Sequence, residues 1–143
     1  MRIGLLASWD PLWIRDHVAW LMRGSHRDGW KNAIREEHRR ALKGQDEFSF
    51  FAYLAKSRGG SGLVGYRIVA GEFEYYPVQQ AFSHAFGQHD DRPDPYDVRF
   101  SFSVIRVDQL TPARAPGSFR TADAKRINAV GPFLHVIDDS RRD

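Results

Sequence analysis

The first third of the chain combines an apolar run with two segments in which apolar residues recur at helical spacing. Residues 2–7 form a short apolar run that predicts a buried strand. Residues 11–22 carry apolar side chains along one broad face, after Asp10 as a possible cap, and predict a helix. The same spacing predicts a second helix over residues 32–42, which ends before Gly44.

The middle of the chain is rich in aromatic and β-branched residues. Residues 47–54 and 63–73 are strand-like, and the glycine-rich stretch 57–62 between them predicts a hairpin. Residues 97–107 alternate between apolar and polar and predict a strand with one buried face. The apolar positions of this strand are Val98, Phe100, Phe102 and Val104, and the polar ones are Arg99, Ser101 and Ser103.

The C-terminal part predicts a short capped helix over residues 121–130 and a last strand over residues 133–137. Residues 24–29 and 77–95 are expected to be irregular. Few helices separate the central strands, which disfavours a doubly wound parallel sheet. We therefore expect one α+β domain over residues 1–143, built as a curved antiparallel or mixed β-sheet, or a small barrel, flanked by helices.

The composition is that of a folded protein outside the membrane. Of the 143 residues, 42% are hydrophobic and 27% are charged, which excludes a disordered chain. No apolar stretch approaches the roughly 20 residues that cross a bilayer, and Asp10 interrupts the apolar start too early for a signal peptide. We expect a cytoplasmic protein. The lack of cysteine excludes disulfides, thiolate metal sites and cysteine nucleophiles.

Sequence patterns for catalysis or metal binding are weak. Residues 59–62 read Gly-Gly-Ser-Gly, but a strand follows them rather than the helix that a phosphate loop requires. No Gly-x-Ser-x-Gly nucleophile motif occurs, and the paired carboxylates are adjacent residues that do not face one another. Side chains that could bind a metal concentrate in one segment, but their spacing matches no known metal-ligand motif and is typical of a solvated acidic loop. They are His84, His89, Asp90, Asp91, Asp94 and Asp97. We predict no catalytic residue, no metal site and no cofactor.

The basic residues are compatible with nucleic acid. The 21 Lys and Arg residues exceed the 18 Asp and Glu residues, and 17 of the basic ones are Arg, whose planar fork suits phosphate. A GC-rich genome produces the same bias. Lys31, Arg35 and Arg39 recur every four residues and would form a positive ridge on the second helix, able to follow a phosphate backbone. An ordinary solvated helix face is the alternative.

Two of the aromatic residues fall outside the predicted core positions. The chain has 4 Trp, 5 Tyr and 10 Phe, and most of them fit a hydrophobic core. Trp9 falls between the first strand and the first helix, and Trp30 falls just before the second helix. Large rings at such positions often line a pocket, in which a stacked base gains about 1–3 kcal/mol. Packing into the core is the alternative for each ring.

Several motifs follow one another in a recognisable order over about residues 2–107. A strand ends in Ser8-Trp9, Trp30 precedes a basic helix, and a Gly-Gln-Asp turn at residues 44–46 leads into a strand with Phe50-Phe51. A glycine-containing apolar strand at residues 63–70 comes before Tyr75-Tyr76-Pro77, and Pro95-Tyr96 begins the alternating strand. This order resembles the EVE domain of the PUA-like superfamily, to which the YTH and ASCH domains are related. Residues 108–143 match poorly, and residues 79–94 depart from the compact family pattern.

The resemblance implies a pocket with aromatic walls that receives a base, often a modified one. Trp30 would be the main stacking wall, Ser8 and Trp9 would border the pocket, and Asn32 would offer hydrogen bonds to a base edge. Phe51 occupies the position of a family tyrosine and lacks its hydroxyl. The implied pocket therefore consists of Ser8, Trp9, Trp30, Asn32 and Phe51.

The expected function is that of a non-catalytic module that binds DNA or RNA and captures one unpaired base. Lys31, Arg35 and Arg39 would supply the phosphate contacts. A small hydrolase of the ASCH type is one alternative, and it would need a buried ionisable group facing the aromatic walls. A module that binds a small molecule in the same cleft is the other.

Overall fold

The computed structural model describes residues 1–22, 26–82 and 96–140. In these ranges the chain forms six strands and two α-helices, with short 3-10 turns at Lys56–Arg58 and Pro116–Ser118. The elements are β1 Ile3–Trp9, α1 Pro11–Met22, β2 His26–Trp30, α2 Glu36–Gly44, β3 Glu47–Leu54, β4 Leu63–Phe82, β5 Tyr96–Arg114 and β6 His135–Asp138. Neither α1 nor α2 is long and apolar enough to span a membrane.

All six strands belong to one mixed sheet, in the order β2-β5-β4-β3-β1-β6. β1 and β3 are parallel, and the other four pairings are antiparallel. Within the described residues the end strands β2 and β6 do not pair with each other, so the sheet does not close. The predicted α+β class with a mixed sheet is confirmed, whereas the alternative of a small barrel is wrong because the sheet is open.

Two hydrophobic cores lie on opposite faces of the sheet, because successive residues of a strand point to opposite sides. The helix-side core receives α1 and α2, and its members include Leu5, Trp9, Ile14, Leu21, Leu42, Phe48, Phe50, Phe100 and Phe102. The tail-side core is covered by the C-terminal segment and consists of Leu6, Phe51, Val64, Phe119, Ile127, Val130 and Ile137. The helix-side core is therefore the one that supports the end of β1 and the start of α1.

The hairpin and the alternating strand predicted from the sequence are confirmed. β3 and β4 pair antiparallel, with Leu54 opposite Leu63 beside the glycine-rich turn. In β5 the four apolar positions are buried as expected. Ser101, expected on the polar face, is also fully buried, because its Oγ accepts a hydrogen bond from Arg27 and shares one with the Tyr76 hydroxyl, each 2.7 Å long.

Two predictions near Trp30 are wrong. Residues 26–29 were expected in a turn but belong to β2, which pairs antiparallel with β5. The second helix was expected from residue 32 but begins at Glu36, because Arg35 adopts an extended conformation with φ −61° and ψ 148°. Trp30 therefore ends a strand, and an irregular segment separates it from α2.

The predicted helix over residues 121–130 is also absent. Its first residues bond to β6 instead, since the N–H of Ala122 donates to Val136 O at 2.9 Å and Thr121 bridges Ile137. This pairing with β6 outweighs the local preference for a helix. The irregular segment expected over residues 77–95 begins as part of β4, and residues 83–95 lie outside the described ranges.

Candidate functional site

Trp30 occupies the end of the edge strand β2 and is only partly buried. It lies opposite Phe100 in β5, which in turn lies opposite Tyr75 in β4, so the three rings are aligned across neighbouring strands. The Trp30 ring packs on Phe50 with centroids 5.0 Å apart and planes at 66°. Its Nε1 donates a 2.9 Å hydrogen bond to Oδ1 of Asn32. These contacts hold the indole in one orientation.

An apolar cavity of about 330 Å³ lies beside Trp30, and we call it the tryptophan cavity. Three indoles line it, with the ring centroid of Trp9 4.8 Å from that of Trp30 and 6.2 Å from that of Trp13. Its volume is at the lower end of the roughly 300–1,000 Å³ usual for small-ligand pockets. The lining residues are Trp9, Asp10, Trp13, Asp28, Gly29, Trp30, Lys31 and Asp97.

Neighbouring aromatic side chains hold the indoles of Trp9 and Trp13 in place. Trp9 is 4% exposed and packs edge-on against Phe50, and its Nε1 has no hydrogen-bond acceptor among the described residues. Trp13 stacks on His17 with centroids 4.5 Å apart and planes at 12°. His17 is itself held by a 2.8 Å hydrogen bond between Nδ1 and the Trp13 carbonyl. Rings fixed in this way present a rigid surface to a ligand.

Asp28 brings a carboxylate to the wall of the tryptophan cavity. It is 1% exposed, and its Oδ1 accepts the N–H of Gly29 at 2.8 Å. A side chain at position 29 would not fit, because a Cβ there would lie 2.7 Å from Cγ1 of Val98. The buried ionisable group required by the hydrolase alternative is thus present at an aromatic wall.

A second cavity of about 410 Å³ adjoins the first, and we call it the polar cavity. Trp30 and Lys31 line both cavities and separate them. Ser8 lines the polar cavity but not the tryptophan cavity, because it faces the opposite side of β1 from Trp9. The lining residues are Ala7, Ser8, Trp30, Lys31, Asn32, Tyr53, Ala55, Ser57, Arg58, Gly131 and Pro132.

The five residues predicted to form one pocket are therefore divided. Trp9 lines the tryptophan cavity, Ser8 and Asn32 line the polar cavity, and Trp30 lines both. Phe51 lines neither of them. It is 4% exposed and packs on Phe119 in the tail-side core, with ring centroids 4.9 Å apart.

The three predicted phosphate ligands do not form a ridge on one helix. Only Arg39 lies in α2, because the helix begins at Glu36. Arg35 precedes the helix and forms an ion pair with Glu37. Lys31 lines both cavities, and the Arg39 guanidinium lies over the Tyr75 ring, 4.4 Å from its centroid.

The residues that line the cavities also include Trp13, Asp28, Arg58 and Asp97, none of which was predicted to lie in the pocket. Trp13 was attributed to the interior face of α1, and Arg58 to the hairpin turn. Asp28 lay in a segment taken as a turn. Asp97 was noted only with the metal-capable residues 84–94, which lie outside the described ranges. Among the described residues no three His, Asp or Glu side chains are grouped to hold a metal ion.

Comparisons with known proteins identified no relative of this chain. No protein-family model, no curated protein and no solved structure matches the chain.

Proposed function

We propose that this chain is a nucleic-acid-binding module with a PUA-like fold of EVE type, which captures one base, a modified one, against Trp30. The observation that carries the proposal is the position of Trp30, a partly exposed indole at the end of a strand that forms the wall shared by two cavities. A base stacked on an aromatic side chain gains about 1–3 kcal/mol. Such stacking requires an unpaired or flipped base, since bases inside a duplex already stack on one another.

The surroundings of Trp30 supply both rigidity and selectivity. Phe50 and Asn32 fix the indole before a ligand arrives, which reduces the entropy lost on binding. The Oδ1 of Asn32 accepts the hydrogen bond from Trp30, and its amide N–H groups can donate to a ligand in the polar cavity. The Ser8 hydroxyl in the same cavity both donates and accepts. Stacking on Trp30 would select the base, and these polar contacts would hold the part of the nucleotide that enters the polar cavity.

Arg39 would contact the phosphate backbone near the captured base. It stacks on Tyr75, which is aligned with Trp30 two strands away, or about 10 Å at the usual strand spacing. A guanidinium that stacks through its face keeps its N–H donors available at its edge. Contacts of this kind attract nucleic acid of any sequence and weaken as salt rises.

Fluorescence quenching of the tryptophans tests this function directly. Short single-stranded DNA and RNA, with and without modified bases, are titrated into the chain at two salt concentrations. We expect quenching that depends on base identity and weakens with salt. Trp30→Ala should abolish the preference for one base and retain weak backbone binding, whereas Trp30→Phe should retain part of the preference.

Trp20→Phe is the matched control, because Trp20 is 3% exposed and lines neither cavity. It removes an indole from the core and should leave base preference unchanged. Full base preference in a folded Trp30→Ala protein would disprove the pocket. Absence of binding to any oligonucleotide at low salt, together with thermal stabilisation by a small molecule, would show that the cavities serve a small ligand instead.

A hydrolase of the ASCH type is the second candidate, and the buried carboxylate of Asp28 favours it. A carboxylate at an apolar wall can act as a general base toward a bound substrate. Incubation of the protein with oligonucleotides and nucleotides, followed by chromatography of the products, tests this role. Product formation that Asp28→Asn abolishes would establish an enzyme, and intact substrate after long incubation would exclude hydrolysis of these compounds.

A further inference from the structure

The two cavities on either side of Trp30 and Lys31 carry opposite charges. Three carboxylates line the tryptophan cavity, those of Asp10, Asp28 and Asp97, and Lys31 is the one basic residue among its lining residues. The polar cavity has Lys31 and Arg58 and no carboxylate among its lining residues. A separation of charge over two adjoining cavities is a recognition pattern for a ligand with opposite charges at its two ends.

Four of the charged side chains that line the two cavities form no ion pair with a described residue. These are Asp10, Asp97, Lys31 and Arg58, and all four are exposed. Asp10 accepts the N–H of Leu12 at 2.9 Å and thereby caps α1, which leaves its negative charge in place. Their fields therefore act on whatever enters the cavities.

We infer that the captured unit is a nucleotide whose base is cationic, with the base in the tryptophan cavity and the phosphate in the polar cavity beside Lys31 and Arg58. This inference rests on the proposed capture of a base and names its chemical class. Methylation of a ring nitrogen, as at N1 of adenine, gives a base a positive charge while keeping it flat. Trp30 would then lie between the base and the phosphate of one nucleotide.

The chemistry of the tryptophan cavity favours a charged ring over a neutral one. Indole faces attract cations, and most strongly where water is excluded. The carboxylates of Asp10 and Asp97 add attraction that a neutral base does not experience. Among the described residues no three carboxylate or imidazole groups are close enough to hold a metal ion together. A flat organic cation can both stack on the indole rings and be attracted by the carboxylates.

Two isomers of methylated adenosine monophosphate provide a matched probe. The N1-methyl isomer is cationic at neutral pH, the N6-methyl isomer is neutral, and the two have the same number of heavy atoms. Titration into the full chain, followed by tryptophan fluorescence and calorimetry, should show about tenfold tighter binding of the N1-methyl isomer at low salt. The corresponding nucleosides without phosphate should bind several-fold more weakly.

Variants on each side of Trp30 separate the two ends of the ligand. Asp10→Asn with Asp97→Asn should remove most of the preference for the N1-methyl isomer, and the asparagine at position 10 still caps α1. Arg58→Ala should reduce the difference between nucleotide and nucleoside and leave the preference between isomers intact. Asp123→Asn and Lys125→Ala, at exposed positions that line neither cavity, are the matched controls.

The outcomes distinguish this inference from the function on which it rests. If the N6-methyl isomer binds as tightly as the N1-methyl isomer, the charge inference is wrong and base capture stands. If no nucleotide, nucleoside or oligonucleotide binds at low salt, both are wrong. Repeating the titration with a short single strand that carries either methylated adenine shows whether the source is a free nucleotide or a nucleic acid. Tighter binding of the strand, with the same preference between isomers, identifies nucleic acid.

Discussion

Trp30 and Asn32 lie two residues apart and are joined by a 2.9 Å hydrogen bond from the indole Nε1 to the side-chain Oδ1. The bond links the last residue of β2 to the irregular segment that leads to α2. It fixes the indole in its plane, while the packing of Phe50 fixes it from the core. The orientation of the indole face on which a base would stack therefore depends on the Trp30–Asn32 hydrogen bond as well as on packing against the sheet.

Removing the acceptor should loosen Trp30. We expect Asn32→Ala to change the near-ultraviolet circular dichroism of the indoles and to weaken base binding about two- to tenfold, since one net hydrogen bond is worth about 0.5–1.5 kcal/mol. Asn32→Asp keeps an acceptor for Nε1 and should retain the spectrum. A spectrum unchanged by Asn32→Ala would show that packing alone orients the ring.

Arg39 should contribute to affinity and leave selectivity unchanged. Its guanidinium lies over Tyr75, outside both cavities that adjoin Trp30. Arg39→Ala should weaken binding of all sequences about equally and reduce the slope of log affinity against log salt by about 1. Lys125→Ala is the control, since Lys125 belongs to the segment that covers the other face of the sheet. A loss confined to one base would place Arg39 in the base pocket instead.

The sequence predicts strands well where alternation is strict. β5 alternates strictly from Val98 to Val104, so its buried face over these residues follows without knowledge of its neighbours. β2 has no such signal, because Trp30 is the one large apolar residue in its five positions and Gly29 suggests a turn. The strand forms because it pairs with β5, and this long-range contact cannot be read from the local sequence.

The candidate site, too, could be predicted from the sequence only in part. The sequence singles out Trp9 and Trp30 by their positions outside the predicted core, and both line the tryptophan cavity. It does not reveal which of two adjacent phenylalanines faces them. A shift of one residue along a strand reverses the side, so Phe50 contacts Trp30 while Phe51 lies in the tail-side core. A prediction that is offset by one residue along β3 therefore names a ring on the opposite face of the sheet.

Phe50 and Phe51 offer a matched pair that tests this assignment. Both are nearly fully buried, at 0% and 4% exposure, so leucine at either position should lower the free energy of unfolding by about 1 kcal/mol. Only Phe50→Leu should also weaken base binding, because Phe50 packs against both Trp9 and Trp30. Chemical denaturation and oligonucleotide titration measure the two effects. Equal losses of base affinity in the two variants would contradict the division of the cores.

Gly29 should couple the stability of β2 to base binding. A Cβ at this position would lie 2.7 Å from Cγ1 of Val98 and 3.3 Å from the Phe100 carbonyl oxygen. Gly29→Ala should therefore force β2 away from β5, reduce stability by about 1–3 kcal/mol and displace Trp30, the next residue. Gly44→Ala is the control, since no atom lies within 4 Å of a Cβ there, and it should be neutral or slightly stabilising.

Val98→Ala removes the atom that the new methyl group would meet, which allows a double-mutant cycle. The double variant Gly29→Ala with Val98→Ala should be more stable than the sum of the single changes predicts, by about 0.5–3 kcal/mol, and should regain base affinity relative to Gly29→Ala alone. Recovery of both quantities together would show that the spacing between β2 and β5 positions Trp30. Recovery of stability without affinity would mean that the Phe100 carbonyl, which the second change leaves in place, keeps Trp30 displaced. Strict additivity of the two changes would contradict the contact itself.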